Sequence, residues 1–114
     1  MLTSPEAIAR LLRVPFADPL DLARSLAFEV WRRDLGDLLA VFVPIAPPAA
    51  PILVLDDRAL FPELAGAVAV AAAHHALGHR SCVAYRYTAA GPRDVPWQEA
   101  EEARRFVAAF LMPS

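Results

Sequence analysis

The chain has 114 residues, 57% of them hydrophobic and 21% charged, with a net charge of −2. This length suits one domain, so we expect residues 1–114 to fold as a single unit. The near-neutral charge disfavours a basic surface for nucleic acid or anionic lipid. The longest apolar run, residues 64–73, is half of the roughly 20 residues that a membrane-spanning helix needs. With no signal-peptide pattern and a lone cysteine, Cys82, a cytoplasmic protein is expected.

Two short helices are predicted at the N-terminus. Ser4-Pro5-Glu6 combines an N-capping residue, a proline at the first helical position and an acid in the first turn. This helix should end before Pro15, because the residue preceding a proline avoids the helical conformation. Asp18-Pro19 repeats the signal and predicts a second helix through Ala27.

Three strands should follow the helices. Residues 28–32 alternate as a half-buried strand does, and Gly36-Asp37 is a turn signal that leads into a second strand over residues 38–43. A proline-rich stretch then precedes a third strand over residues 52–55. Because the links are short, we expect a small antiparallel sheet with helices on one face.

Two more helices complete the prediction. An alanine-rich helix should begin at Arg58 or Pro62 and extend to His79, and a last helix should run from Pro96 to Pro113. Residues 81–87 are compatible with either extended structure or a loop, and residues 88–93 are predicted as a loop. The fold class is therefore α+β: two N-terminal helices, a three-stranded antiparallel sheet, a histidine-bearing helix and a C-terminal helix.

All three histidines lie in one short segment, His74-His75-Ala76-Leu77-Gly78-His79. On a helix, His75 and His79 share a face one turn apart, a spacing that lets two imidazoles bind one zinc ion. The same spacing also occurs on ordinary helix surfaces and in satisfied cores, so alone it does not establish a metal site. His74 should point elsewhere, to solvent.

The C-terminal run from Glu101 to Pro113, which ends Phe-Leu-Met-Pro, resembles the closing helix of the ImmA/IrrE family of zinc metallopeptidases, approximately E-x-x-A-N-x-F-A-x-x-L-L-M-P. Residues 73–79 resemble that family's A-H-E-L-G-H-H helix, with His75 and His79 at the two ligand positions. Residues 18–23 and 52–56 resemble its early helix and the strand before its zinc helix. The resemblance implies a small zincin-like α+β domain of the cytoplasm that cleaves a partner transcriptional repressor.

Three departures from the family pattern change what the resemblance implies. Ala76 stands where the family has the glutamate that acts as general base on zinc-bound water. Ala100 stands where the family's third zinc ligand, also a glutamate, is expected, and Arg104 replaces an asparagine. Loss of a positioned general base typically slows a reaction by about 10²–10⁴-fold. We therefore expect a catalytically inactive member with no catalytic residue.

Other residues are candidates for the missing ligand. Glu99 lies beside the vacant position and would complete a vestigial metal site of His75, His79 and Glu99; alternatively, the glutamates at 99, 101 and 102 form a solvated face. Cys82 is either a thiolate ligand or a buried thiol. With one ligand displaced, we expect zinc to be absent or weakly bound.

Aromatic residues near the histidines also allow two interpretations. Tyr85 and Tyr87 would stabilise an oxyanion in a zincin site, but alternation on a short strand explains them equally well. Trp31, Trp97, Phe106 and Phe110 are predicted to be core residues or hydrophobic staples at helix ends.

Three functional hypotheses follow. The first is an inactive metallopeptidase-type domain that binds a protein partner, such as a transcriptional regulator. The second is an active zinc peptidase that cleaves such a regulator with His75, His79 and a shifted Glu99. The third is a structural or metal-storing domain whose histidines are incidental. The high hydrophobic fraction favours an apolar surface patch, and hence a homodimer or a partner complex.

Overall fold

The computed structural model describes residues 4–12 and 19–110. Within them the chain has an α+β fold with four helices and five strands. In chain order these are α1 (Pro5–Leu12), α2 (Pro19–Ser25), β1 (Glu29–Arg33), β2 (Leu38–Val43), β3 (Ile52–Asp56), α3 (Phe61–Ala76), β4 (Tyr85–Thr88), β5 (Gly91–Arg93) and α4 (Trp97–Phe110).

The two N-terminal helices begin where the sequence predicts. The hydroxyl of Ser4 accepts a hydrogen bond from the backbone N–H of Ala7 at 3.2 Å, which confirms Ser4 as the N-cap of α1. Helix α2 starts at Pro19 but ends at Ser25, before the predicted Ala27. Ala27 has a φ of 59°, the left-handed conformation that terminates helices. The predicted end of α1 before Pro15 lies outside the described residues.

The sheet differs from the prediction in strand number and in pairing. The three predicted strands are present, but β4 and β5 join them in one mixed sheet of order β1-β3-β2-β4-β5. Strand β1 pairs in parallel with β3, whereas the other neighbours are antiparallel. The expected three-stranded antiparallel sheet is therefore wrong, as is the expected loop over residues 88–93, which contains β5.

A loop over residues 34–37 explains why the turn signal after β1 does not make a hairpin. This loop passes around the end of β3 instead of joining two neighbouring strands. The backbone N–H of Leu35 donates to the buried Asp56 carboxylate at 3.1 Å, and the N–H of Asp57 donates to the carbonyl of Arg33 at 2.9 Å. These bonds fix β3 between β1 and β2.

The core lies between the sheet and α3. Phe42 on β2 has Leu53 on β3 and Tyr85 on β4 as its register partners, and all three side chains are buried. Helix α3 packs on this face, and its many alanines, which favour helix formation, are mostly buried. Helix α4 packs against α3, and α1 packs against α4.

An ion pair joins the first and last helices. The guanidinium of Arg105 donates to both carboxylate oxygens of Glu6, at 2.8 and 2.7 Å.

No helix in the described part of the chain is both long enough and apolar enough to cross a membrane.

Candidate functional site

The C-terminus of α3 sets the geometry of the histidines. The helix ends at Ala76, not at His79 as predicted, because Gly78 adopts a φ of 69°. The N–H of Gly78 donates to the carbonyl of His75 at 3.2 Å, and the N–H of His79 donates to the carbonyl of His74 at 3.0 Å. This pattern is a Schellman motif, which brings the third-last helical residue beside the second residue after the cap. It therefore places His74 next to His79.

The paired histidines begin a chain of hydrogen bonds that reaches α4. The two Nδ1 atoms of His74 and His79 lie 2.8 Å apart, and Nε2 of His79 lies 2.8 Å from Oε1 of Glu102. His74 and His79 are 2% and 6% exposed, so the prediction that His74 faces solvent is wrong. The burial matters because a hydrogen bond between buried groups is costly to leave unmade.

The protonation of this chain follows from its geometry. A carboxylate only accepts hydrogen bonds, so Nε2 of His79 carries a proton and donates it to Glu102. The bond between the Nδ1 atoms needs one donor, which belongs to His74 when His79 is neutral and to His79 when it is protonated. In both cases each ring nitrogen of His79 is engaged in a hydrogen bond.

His74 is held as a neutral base. Its ring stacks on Tyr85 with the centroids 4.2 Å apart and the planes 26° apart. Burial, followed by the nearby charge of His79, lowers the pKa of His74 from 6.5 to about 4, although Glu99 acts in the opposite direction. At neutral pH, His74 is therefore uncharged.

A second set of hydrogen-bonded side chains, those of Ser81, Tyr85 and Glu99, adjoins the histidine network. The Tyr85 hydroxyl donates to Oε1 of Glu99 at 2.8 Å, and the Ser81 hydroxyl donates to the same oxygen. Burial raises the pKa of Glu99, but the hydrogen bonds from Ser81 and Tyr85 and the charges of the two histidines outweigh burial, so the net pKa is lowered. Burial also raises the pKa of the Tyr85 phenol. Glu99 is therefore ionised and fixed by two hydroxyl groups.

These contacts separate the predicted alternatives for the glutamates. Glu99 and Glu102 each form a hydrogen bond with a residue outside α4, so these two glutamates are not part of a solvated helix face. Glu101 does face outward, where it forms hydrogen bonds with Arg104 at 3.0 and 2.6 Å. Cys82 is a half-buried free thiol near the hydroxyl of Ser81.

His75 lies apart from this network. Its ring meets Phe28 and Phe42 edge-on, with centroid distances of 5.2 and 6.4 Å, while the residue as a whole is exposed. Burial of part of the ring, followed by the charge of Arg80, lowers the pKa of His75. His75 and His79 line one shallow surface depression, but their rings bond to different partners.

The zinc site implied by the resemblance does not fit this arrangement. Both ring nitrogens of His79 are hydrogen-bonded, and Glu99 is bound to two hydroxyl groups. Among the described residues, no three histidine, cysteine, aspartate or glutamate side chains are grouped as a metal site requires. His75, His79 and Glu99 are therefore not brought together as one ligand set.

Because comparisons with known proteins give no match, a function can be argued only from the site itself. No family model, curated protein or solved structure matches the chain.

A cavity of about 150 Å³ adjoins the network. It lies between α3, the β4–β5 hairpin and α4. His74 forms part of its wall, and so does Ala100, the residue at the expected position of the third ligand. Where the resemblance implies a glutamate, this chain has a methyl group that lines an apolar space.

Sequence reasoning missed the partnership of His74, His79 and Glu102. One signal was available: Gly78 directly precedes His79, and glycine is the usual residue just past the end of a helix. Reading it as the end of α3 would have paired His79 with His74 rather than with His75. The contribution of Glu102, 23 residues further on, has no such local signal.

Two tryptophans also differ from the prediction. Trp31 and Trp97 are 42% and 80% exposed and do not lie in the core, whereas Phe106 is buried as expected. Val83, which is 89% exposed, lies in the loop after Ser81. Because Ser81 bonds to Glu99 on α4, Val83 and Trp97 each lie two residues from the same contact. Both are large apolar side chains that are exposed to solvent.

Proposed function

We propose that this chain is a catalytically inactive domain of the ImmA/IrrE metallopeptidase type and that it binds a protein partner. The observation that carries the proposal is the hydrogen-bond network between the end of α3 and α4. The resemblance implies zinc at this meeting of helices. Here His79, just past the end of α3, bonds to Glu102 on α4, and Tyr85 on β4 bonds to Glu99 on α4, so side chains of the protein itself connect α4 to the end of α3 and to the sheet.

Inactivity follows from the chemistry of the remaining side chains. Hydrolysis by a zincin needs a base for the attacking water, and Ala76 has no proton acceptor in its side chain. His74 is buried, and its Nδ1 is hydrogen-bonded to His79. Glu99 is an ionised carboxylate, but it is held by two hydroxyl donors that lower its basicity.

The exposed side chain of Trp97, at the start of α4, supports a protein partner. Tryptophan is the residue type most enriched among those that dominate binding energy at interfaces. Glu99, two residues further along α4, and Ser81, which bonds to it, would supply polar contacts at the rim of the interface. Among proteins, a transcriptional regulator is the class that the resemblance implies.

A site-specific crosslinking experiment tests this proposal. A photo-reactive amino acid at Trp97, in cells that make the protein natively, should give one discrete adduct with a second protein. The same amino acid at Leu60 is the control, because Leu60 is also exposed (70%) but precedes the other end of α3, a 16-residue helix about 24 Å long. An adduct that contains a second copy of this chain would instead identify a homodimer.

The identified partner then allows a quantitative test. Trp97→Ala should weaken binding of the purified partner by about 30-fold or more, whereas Leu60→Ala should change it less than about threefold. The partner should keep its full mass after prolonged incubation with the protein and zinc. Cleavage of the partner would refute inactivity, and equal binding by both variants would refute the proposed surface.

An active zinc peptidase is the second candidate, and one observation favours it. His75 and His79 line the same surface depression. Elemental analysis and zinc titration of protein purified without a histidine tag distinguish the two. One tightly bound zinc per chain that is lost in both His75→Ala and Glu99→Gln would favour the peptidase. Zinc binding no tighter than that of an isolated surface histidine pair would exclude it.

A further inference from the structure

The cavity between α3, the β4–β5 hairpin and α4 has the dimensions of a small-molecule site. Its volume of about 150 Å³ is comparable to that of protein cavities known to hold benzene. It is too small for a peptide side chain that enters with its backbone, or for a nucleotide. The principal wall residues are Val70, His74, Tyr87, Ala100, Ala103 and Val107.

The wall is mainly apolar and carries few polar groups. Two alanines and two valines present small apolar side chains to the cavity from α3 and α4. Ala103 is almost completely buried, and Ala100 is half-buried. Any larger residue at position 100, including the glutamate that the resemblance implies there, would occupy part of the space.

The charged side chain that lines the cavity is already paired with a group of opposite charge. Arg104 lies at the cavity, but its Nε and one terminal nitrogen donate to Glu101. The rest of the lining is mainly apolar. A ligand with a net charge would therefore lose its hydration without gaining an unpaired charge of opposite sign. The cavity favours a neutral ligand.

His74 is the buried polar residue in the wall. Its ring forms a hydrogen bond to His79 through Nδ1, and Nε2 takes no part in that bond. Because His74 lines the cavity, Nε2 is the ring nitrogen to which we assign a directional hydrogen bond with a small ligand.

We propose that this cavity binds a neutral, benzene-sized aromatic molecule with one hydroxyl group, the phenol class. The ring packs between the alanines and valines of α3 and α4, and the hydroxyl group forms a hydrogen bond with Nε2 of His74. This site is independent of the proposed partner surface, since Trp97, Glu99 and Ser81 are not among its wall residues.

Titration of the full chain with phenol, toluene and benzoate tests the proposal by calorimetry and by amide chemical shifts in NMR spectra. Phenol should bind in a 1:1 ratio with a Kd of about 1 mM or tighter. Toluene should bind about 3- to 10-fold more weakly, because it lacks the hydrogen bond. Benzoate should bind at least about tenfold more weakly than phenol, because its charge is unpaired in the site. The largest shift changes should fall within residues 70–74 and 100–107.

Substitutions that fill the cavity supply the structural control. Ala100→Phe should reduce phenol affinity by at least about tenfold, and Ala108→Phe should leave it unchanged because Ala108 is exposed on the same helix and does not line the cavity. If Ala100→Phe does not fold, Val107→Phe provides the same test. Absence of saturable phenol binding, equal affinity in the filled variant, or tighter binding of benzoate than of phenol would each overturn the proposal.

Discussion

Acidification should destabilise this protein well above the pH at which carboxylates titrate, because His74 is buried as a neutral base. Its pKa is lowered from 6.5 to about 4, first by burial and then by the charge of His79. The His74 ring therefore binds a proton near pH 6.5 in the unfolded chain but only near pH 4 in the folded chain. The stability that depends on neutral His74 is complete above pH 6.5 and is lost as the pH falls from 6.5 to 4.

The magnitude can be worked from that shift. One pKa unit corresponds to about 1.4 kcal/mol, so the full change of about 2.5 units corresponds to about 3 kcal/mol. Between pH 7 and pH 5, the linkage relation gives a loss of about 1.8 kcal/mol from His74 alone. Carboxylates contribute little to the loss of stability between pH 7 and pH 5. The lowered pKa values of Glu6, Asp37 and Glu101 act only near and below their ordinary values of 3.8 to 4.5.

Urea unfolding followed by far-UV circular dichroism at pH 7, 6 and 5 measures this loss. Circular dichroism is preferable to tryptophan fluorescence, because Trp31 and Trp97 are both exposed and report little of the core. His74→Gln keeps a side chain that can bond to His79 but has no proton to gain in this range. Its loss of stability between pH 7 and 5 should therefore be much smaller than that of the unsubstituted protein, with only the lowered pKa of His75 contributing. His75→Gln is the matched control, and it should retain most of the pH dependence because His75 is exposed.

Two outcomes would refute this reasoning. A loss below about 0.5 kcal/mol in the unsubstituted protein would mean that His74 is not desolvated as the structure indicates. An equal loss in His74→Gln would mean that another group is responsible.

Two further pairs of substitutions test the helix end and the network. Gly78→Ala should cost about 1 kcal/mol or more, because φ is +69° at Gly78, whereas Gly66→Ala in the interior of α3 should stabilise by about 0.5–1 kcal/mol, since its new methyl group would meet only a tyrosine hydroxyl at 3.9 Å. Thermal unfolding of the two variants should shift Tm in opposite directions, and a shift in the same direction would contradict the assigned helix end. Glu102→Ala should cost about 1–3 kcal/mol, because it removes the acceptor of the buried His79 ring. Glu101→Ala, which breaks only a surface pair, should cost less than about 1 kcal/mol in the same urea titration, and equal costs would show that the network does not stabilise the fold.

Features of the fold that depend on local chemistry were predictable from the sequence. Ser4 caps α1 because its hydroxyl satisfies an N–H that the first turn leaves unpaired. The helix start at Pro19 and the positions of β1, β2 and β3 likewise follow from proline geometry and from alternation of apolar residues. These signals act over a few residues and need no knowledge of the rest of the chain.

Strand order was not predictable in this way. The alternation in β1 is satisfied equally by an antiparallel partner and by the parallel partner that it has, β3. The choice is made by contacts distant in sequence, including the bond from the N–H of Leu35 to the carboxylate of Asp56. A turn signal at Gly36 predicts that the chain bends but not which strand lies beside it.

The candidate site likewise has features that could be predicted from the sequence and features that could not. The histidines at the end of a helix, and the absence of a base at Ala76 and of a ligand at Ala100, could be predicted from the residues alone. The burial of His74 against Tyr85 and the hydrogen bond from His79 to Glu102 could not, since both depend on the folded chain. The physical reason is that burial and pairing depend on how α4 packs against α3. That packing is set by the whole core rather than by the residues of the segment.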